Sequence, residues 1–439
     1  MLASPQLTSR DRSPRADRHE SRRQLGVVLG ARAASTSGGP DTIGEMPRLS
    51  RSSAAAAGAL GCLAFLLIGW SGLLVPSLIR SVEDAFDQSD AGIGIFYFVY
   101  ALVYAVGALG GGLVTERLGR RTVLSLGVAF HGAGFLALGL APSWVVFVLA
   151  ALSAGLGAGV IDGGMNGLFL DLFPAGRGRA LNLLHLFFSV GALSAPLTVG
   201  RLVEVGVEWQ AIVVTTGLAA FLVAALFAVV KMPSGRDLRD AREVSTGHGR
   251  LEGARGRLAA PLLLLAIAIA CYVAGEVGVS NWLVRFLEPA PLSTATTALA
   301  LFWAGLTLGR LISAQIADRF DHVLFATTCS AAAAAALVAA ILAPGLPVSI
   351  ALFGLAGVAT GPVYPMIIAI GGDRYPDRSA AVGGFLAGAA VIGSIVYPPI
   401  MGFLSVTVGL TTAMLGTAVL GLACAGALVL VRRMRPIAA

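Results

Sequence analysis

Three side chains in this chain of 439 residues carry charge deep within apolar runs: Asp162, Glu276 and Arg310. Asp162 stands in Gly155-Leu-Gly-Ala-Gly-Val-Ile-Asp-Gly-Gly-Met-Asn166, inside an apolar run from about 145 to 170 that is long enough to cross a bilayer. Asp162 and Asn166 are four residues apart, so on a helix they share a face, while Gly155, Gly157, Gly159, Gly163 and Gly164 let neighbouring backbones come close. A charge at that depth costs roughly 3 kcal/mol or more against lipid, so both residues are read as lining of a polar pathway. Glu276 lies within about a turn of the middle of its own run. Two carboxylates from separate parts of the chain can flank one site, and burial favours the protonated form that a group exchanging protons must visit. Arg310 offers a competing chemistry: paired with either acid, it would hold that acid ionised and make the pair structural.

The elements that must position these groups are membrane spans. With 56% hydrophobic and only 13% charged residues, the composition excludes an ordinary soluble domain and predicts an all-α integral membrane protein. Apolar segments recur at about 55–79, 91–114, 122–141, 145–170, 180–203 and 209–231, then at 259–284, 294–317, 322–343, 347–371, 381–404 and 409–431. That is about twelve spans in two sets of six, a half over 53–231 and a half over 259–431. Between them the polar, arginine-rich stretch 232–258 reads as a linker, and 432–439 as a short tail. Residues 1–52 have the Arg-, Ser- and Asp-rich composition of a solvated, disordered tail, and Met46 is a natural alternative start.

The net charge of +7 does not indicate nucleic acid, because the cations gather between apolar runs. Arg117, Arg120 and Arg121, Arg177 and Arg179, the linker, Arg319, Arg374 and Arg378, and Arg432 and Arg433 all follow even-numbered spans, which assigns those loops and both termini to the cytoplasm. Arg80, Arg201 and Arg285 are exceptions, read as snorkelling side chains at helix ends. The cysteines Cys62, Cys271, Cys329 and Cys424 lack metal or redox spacing and read as packing residues.

A repeated motif sharpens the class. After the second span comes Gly112-Leu-Val-Thr-Glu-Arg-Leu-Gly-Arg-Arg121, and at the matching place after the eighth comes Ala314-Gln-Ile-Ala-Asp-Arg319. The first resembles the loop signature of the major facilitator superfamily, with Glu116 where that family more often has Asp, and the two-half layout extends the likeness over the chain beyond about residue 53. The resemblance implies the major facilitator fold, two pseudo-symmetric six-helix halves around a central site, and a latch formed on the cytoplasmic side by Gly112, Glu116, Arg117, Gly119, Arg120, Arg121, Asp318 and Arg319. Taken as chemistry alone, the same residues make charge-assisted bonds between helix ends or surface pairs worth under about 1 kcal/mol.

Asn182-Leu-Leu-His-Leu-Phe-Phe-Ser-Val-Gly191 with Pro196, Tyr272-Val-Ala-Gly-Glu-Val-Gly-Val-Ser-Asn-Trp282, Phe302-Trp-Ala-Gly-Leu-Thr-Leu-Gly-Arg310 and Gly361-Pro-Val-Tyr-Pro365 together resemble the fucose permease branch. That likeness implies proton-coupled uptake of a small neutral sugar, with Asp162 and Asn166 in the positions of the branch's fourth-span acid and Asn. The branch's first-span acid has no counterpart between Ala54 and Val75, which leaves coupling to Asp162 or Glu276, or absent. Asn281 and Trp282 read as sugar contacts, one for hydroxyls and one for a C–H face, with Trp70, Trp303, Tyr364 and Tyr397 as further aromatics. His131 and His185 read as helix histidines satisfied by neighbours, with a proton relay as the alternative. Gly361-Pro-Val-Tyr-Pro365 predicts a bend in the tenth span.

No nucleotide loop, metal cluster or nucleophile motif is present in the sequence, so neither an enzyme nor a cofactor is expected. The expectation is a monomeric secondary transporter of the cell's inner membrane, whose partners are a small molecule, a proton and the bilayer. Drug or metabolite efflux is the alternative, and a non-transport scaffold the third reading.

Overall fold

A bilayer supplies no hydrogen bonds, so an apolar chain crossing it must satisfy every backbone group within each segment, and helices result. The computed structural model describes residues 51–173, 177–230, 232 and 260–434. They contain α1 (Arg51–Gly72), α2 (Leu74–Phe86), α3 (Asp90–Leu118), α4 (Arg120–Gly139), α5 (Trp144–Leu172), α6 (Arg177–Glu204) and α7 (Trp209–Val229). After the linker come α8 (Ala260–Phe286), α9 (Leu292–Ile316), α10 (His322–Ile341), α11 (Leu346–Thr360), α12 (Val363–Arg374), α13 (Ser379–Val408) and α14 (Leu410–Arg433). Among the described residues there is no strand, and twelve spans are long and apolar enough to cross a membrane. The tail before residue 51 and the linker over 233–259 lie outside the described residues.

Two spans are broken, each in the same way. The first divides at Leu73 into α1 and α2, and the tenth divides at Gly361-Pro362 into α11 and α12. In both, a proline stands third in the second segment, Pro76 and Pro365, and cannot donate to the carbonyl four residues back. The bend expected in the tenth span is therefore a break. The first span runs on to Phe86 rather than ending near residue 79. Its charged last turns, beyond the apolar segment, are helical because Arg80 and Glu83 find partners on α8.

The core has three parts. One cluster draws on both sets of spans, with Leu78, Phe96 and Phe147 beside Trp282, Phe302 and Phe353. A second contains only residues of the first six spans, among them Phe65, Met165 and Phe227, and a third only residues of the last six, among them Leu265, Ile367 and Leu428. The shared cluster lies toward the face carrying the loops after odd-numbered spans. The separate clusters lie toward the terminal face, where the first helix begins and the last ends. The bundle is thus joined at one face and divided at the other.

The joined face is drawn together by small residues. Gly402 of α13 packs on the Asp90 backbone, Gly94 of α3 on Pro399, and Gly200 of α6 on Ser293 and Thr296 of α9. A side chain at any of these positions would push spans two and eleven, or five and eight, apart.

Candidate functional site

The division between the two sets of spans encloses a cavity of about 1860 Å³. Its walls include Asp162, Asn166 and His185 from the first set and Glu276, Asn281 and Arg310 from the second. Exposed Arg179, Asn182, Leu311 and Ala314 line it toward the terminal face, whereas its far end is formed by buried Leu73, Val75, Tyr97 and Ser280. The cavity therefore opens to the terminal face.

Each set contributes a polar centre. In α5, Asn166 Nδ2 donates to Asp162 Oδ1 at 3.0 Å, the one-turn pairing that their spacing implies. Tyr104 and His185 are the other neighbours of the Asp162 carboxylate, so α3, α5 and α6 meet there. In α8, the Tyr272 hydroxyl donates to Glu276 Oε2, one turn away. Arg310 of α9 stands 3.8 Å from the same oxygen. Of the two acids, Glu276 is the one Arg310 pairs with. Tyr364 of the broken tenth span lines the same cavity, within electrostatic reach of Asp162, Glu276 and Arg310. Phe188 and Trp303 meet across the cavity with ring centroids 6.0 Å apart.

Other expected contacts are placed elsewhere. Trp282 is wholly buried in the shared core, 5.9 Å from the Tyr97 ring, and does not line the cavity, because one residue's step beyond Asn281 turns it about 100° around α8. Trp70 donates to Thr216 at 3.0 Å and Tyr397 to the Ala413 carbonyl at 3.1 Å, so both serve packing. His131 is satisfied by Ser71 at 2.8 Å and the Ala154 carbonyl at 2.9 Å, in keeping with its structural reading. His185, by contrast, lines the cavity beside Asp162.

At the terminal face, Gly119 with φ +80° makes the turn between α3 and α4 that the loop motif requires. Arg120 pairs with Asp171 at the end of α5, an acid the motif does not include, while Arg117, Arg121 and Arg319 are exposed. The surroundings of Gly112 and the side chains of Glu116 and Asp318 are not among what the structure describes. Ion pairs of this face among the described residues, Arg120 with Asp171, His322 with Asp373 and Arg432 with Asp321, each stay within one set of spans.

At the joined face the bonds cross between sets. Arg80 donates to the carbonyls of Val284, Leu287 and Ala290 at 2.6 to 3.1 Å, closing the end of α8. Arg285 meets Glu83 and Asp90, and Glu204 accepts from the Ser293 backbone at 2.7 Å. Neither arginine snorkels: each ties α8 to α2 or α3. The signal was in the sequence, since these were the cations that broke the charge bias.

The profile of the Major Facilitator Superfamily matches residues 59–345 and 290–438. The chain belongs to that superfamily. Among relatives, a gentisate transporter of Corynebacterium glutamicum is 26% identical over 385 residues, covering 82% of this chain and 85% of its own. Among solved structures, a bacterial homolog of the human lysosomal transporter Spinster, in an inward-facing and unoccupied conformation, superposes with a TM-score of 0.70 at 17% identity. It covers 88% of this chain and 98% of its own. A D-xylose-proton symporter gives 0.67 at 16% identity, over 85% of this chain and 97% of its own. The superfamily's fold, with its two six-helix halves, is the fold described above.

Proposed function

We propose that the protein is a proton-coupled secondary transporter that works by alternating access and takes up a small hydroxylated solute. The observation that carries this reading is the facing of two polar centres, Asp162 with His185 and Glu276 with Arg310, from separate halves across one cavity. Asp162 has no cation fixed on it except a histidine that can lose its proton, so it is the better coupling group; Glu276 is held by Arg310 and positions substrate. The cation bias puts the terminal face in the cytoplasm of the inner membrane, so the cavity faces inward.

Two substrate chemistries fit. A neutral sugar is supported by the fucose permease resemblance, by Asn166 and Asn281 for hydroxyls, and by Trp303 in the lining. A hydroxylated aromatic carboxylate is supported by Arg310, whose 3.8 Å pairing leaves room for a second anion, by the tyrosines around it, and by the gentisate-transporting relative. Proteoliposomes of the purified protein, given monosaccharides and then hydroxybenzoates while external pH is recorded, test both. Uptake with a proton raises external pH on addition of the right solute, and Asp162→Asn abolishes that rise while retaining solute exchange. A rise of normal size in Asp162→Asn would transfer coupling to Glu276. External acidification instead would make the protein an exporter, and silence together with no labelled-solute flux for either class would refute the proposal.

A further inference from the structure

At the joined face Arg285 Nε stands 2.9 Å from both Glu83 Oε2 and Asp90 Oδ1. Its hydrogen is donated to Asp90, whose other oxygen accepts from the Ser405 hydroxyl of α13. Both Asp90 carboxylate oxygens thereby accept hydrogen bonds. Glu83 differs: it is only 8% exposed, and its Oε1 is buried without a hydrogen-bond partner. The other ionisable groups around the pair are engaged. Arg80 spends its donors on carbonyls of α8 and the loop after it, Arg285 Nη1 pairs with exposed Glu288, and Tyr97 donates to the Asn281 carbonyl at 3.3 Å. Of the two guanidiniums here, Arg80 and Arg285, only Arg285 bonds the three carboxylates, two of which are buried side by side. Adjacent buried carboxylates do not both ionise readily, and a proton on Glu83 removes the charge that its unpartnered Oε1 would otherwise leave buried.

We infer that Glu83 and Asp90 together bind one proton, carried on Glu83, and that this proton locks the joined face shut, at a site separate from the acids of the cavity. With the proton, the pair carries one negative charge against the Arg285 that links α8 to α2 and α3. Without it, two buried negative charges repel across the same contact, and the face opens. The inference rests on alternating access but not on any substrate. In the proposed orientation, external acid holds the transporter inward-open and external alkali releases it.

Spin labels at Leu140→Cys and Leu342→Cys test it without solute. Both positions are exposed, at 65% and 60%, on loops of the joined face, one in each half. Distances are read by pulsed dipolar spectroscopy in a chain whose four native cysteines are changed to alanine. Otherwise unaltered protein should show one distance at about pH 6, and a longer one whose population rises about tenfold by about pH 9. Glu83→Gln keeps its hydrogen at every pH and should hold the short distance throughout. Asp90→Asn, which also removes the paired charge, carries the same expectation if Glu83→Gln does not fold. Arg285→Ala cuts the link and should show the long distance at either pH. If Arg285→Ala opens while the parent ignores pH, or if the folded acid variants titrate like the parent, the proton lock is wrong. If no variant opens, alternating access itself fails.

Discussion

Asn281 and Trp282 are neighbours in sequence and part company in space. A helix turns about 100° per residue, so the asparagine reaches the cavity while the tryptophan enters the shared core. Trp282→Ala should therefore cost about 3–5 kcal/mol of stability, seen as a lower unfolding midpoint in detergent, whereas Trp282→Phe should leave the KM for transport within about twofold. Trp303→Ala, which strips a cavity wall and a member of the shared core, should lower the midpoint as well, and Trp303→Phe should raise KM severalfold where Trp282→Phe does not. The reverse pattern would return Trp282 to the site. Apolar runs reveal which residues share a span, but Trp282 and Asn281 both read as polar-capable groups near its end, and only packing against Tyr97 decides between them. Asp162 and Asn166 were legible for the opposite reason. A four-residue spacing is local, and their hydrogen bond needs nothing from the rest of the fold.

At the scale of elements, close packing between helices depends on glycines whose missing side chains are occupied by other backbones. A Cβ on Gly159 would strike the Tyr104 carbonyl, so Gly159→Val should force α3 from α5 at a cost of about 1–3 kcal/mol or more. Gly388 in α13 faces open space, and Gly388→Ala should be neutral or stabilising by about 1 kcal/mol. Thermal unfolding of the two variants side by side checks the contrast; equal effects would mean that helix propensity, not crossing distance, governs. The spans themselves were readable because length and hydropathy suffice to define them. Their ends were less so. The charged turns of α2 look like loop until Val284, Arg285 and Leu287, far along the chain, are brought beside them.

For the molecule as a whole, the joined and divided faces follow from pairings between halves that no local pattern encodes. The accessibility they imply is measurable. Ala314→Cys, exposed on the cavity wall, should react with a membrane-impermeant maleimide added at the terminal face, and Ser280→Cys, buried at the far end, should react slowly from either side until the joined face opens. Fast labelling of Ser280→Cys from the loop side in resting protein would contradict the closure. Under the proposed alternating access, the shared core is the fulcrum. α8 is 27 residues long, an arm of about 40 Å. Pivoting such an arm by about 10° sweeps its free end through about 7 Å, the width of a small molecule, while atoms near the pivot shift by an ångström or so. Mechanical advantage runs in that direction. A change no larger than one methyl group at Gly402, or one proton beside Arg285, acts at the short end of the lever and is magnified into a gate at the long end.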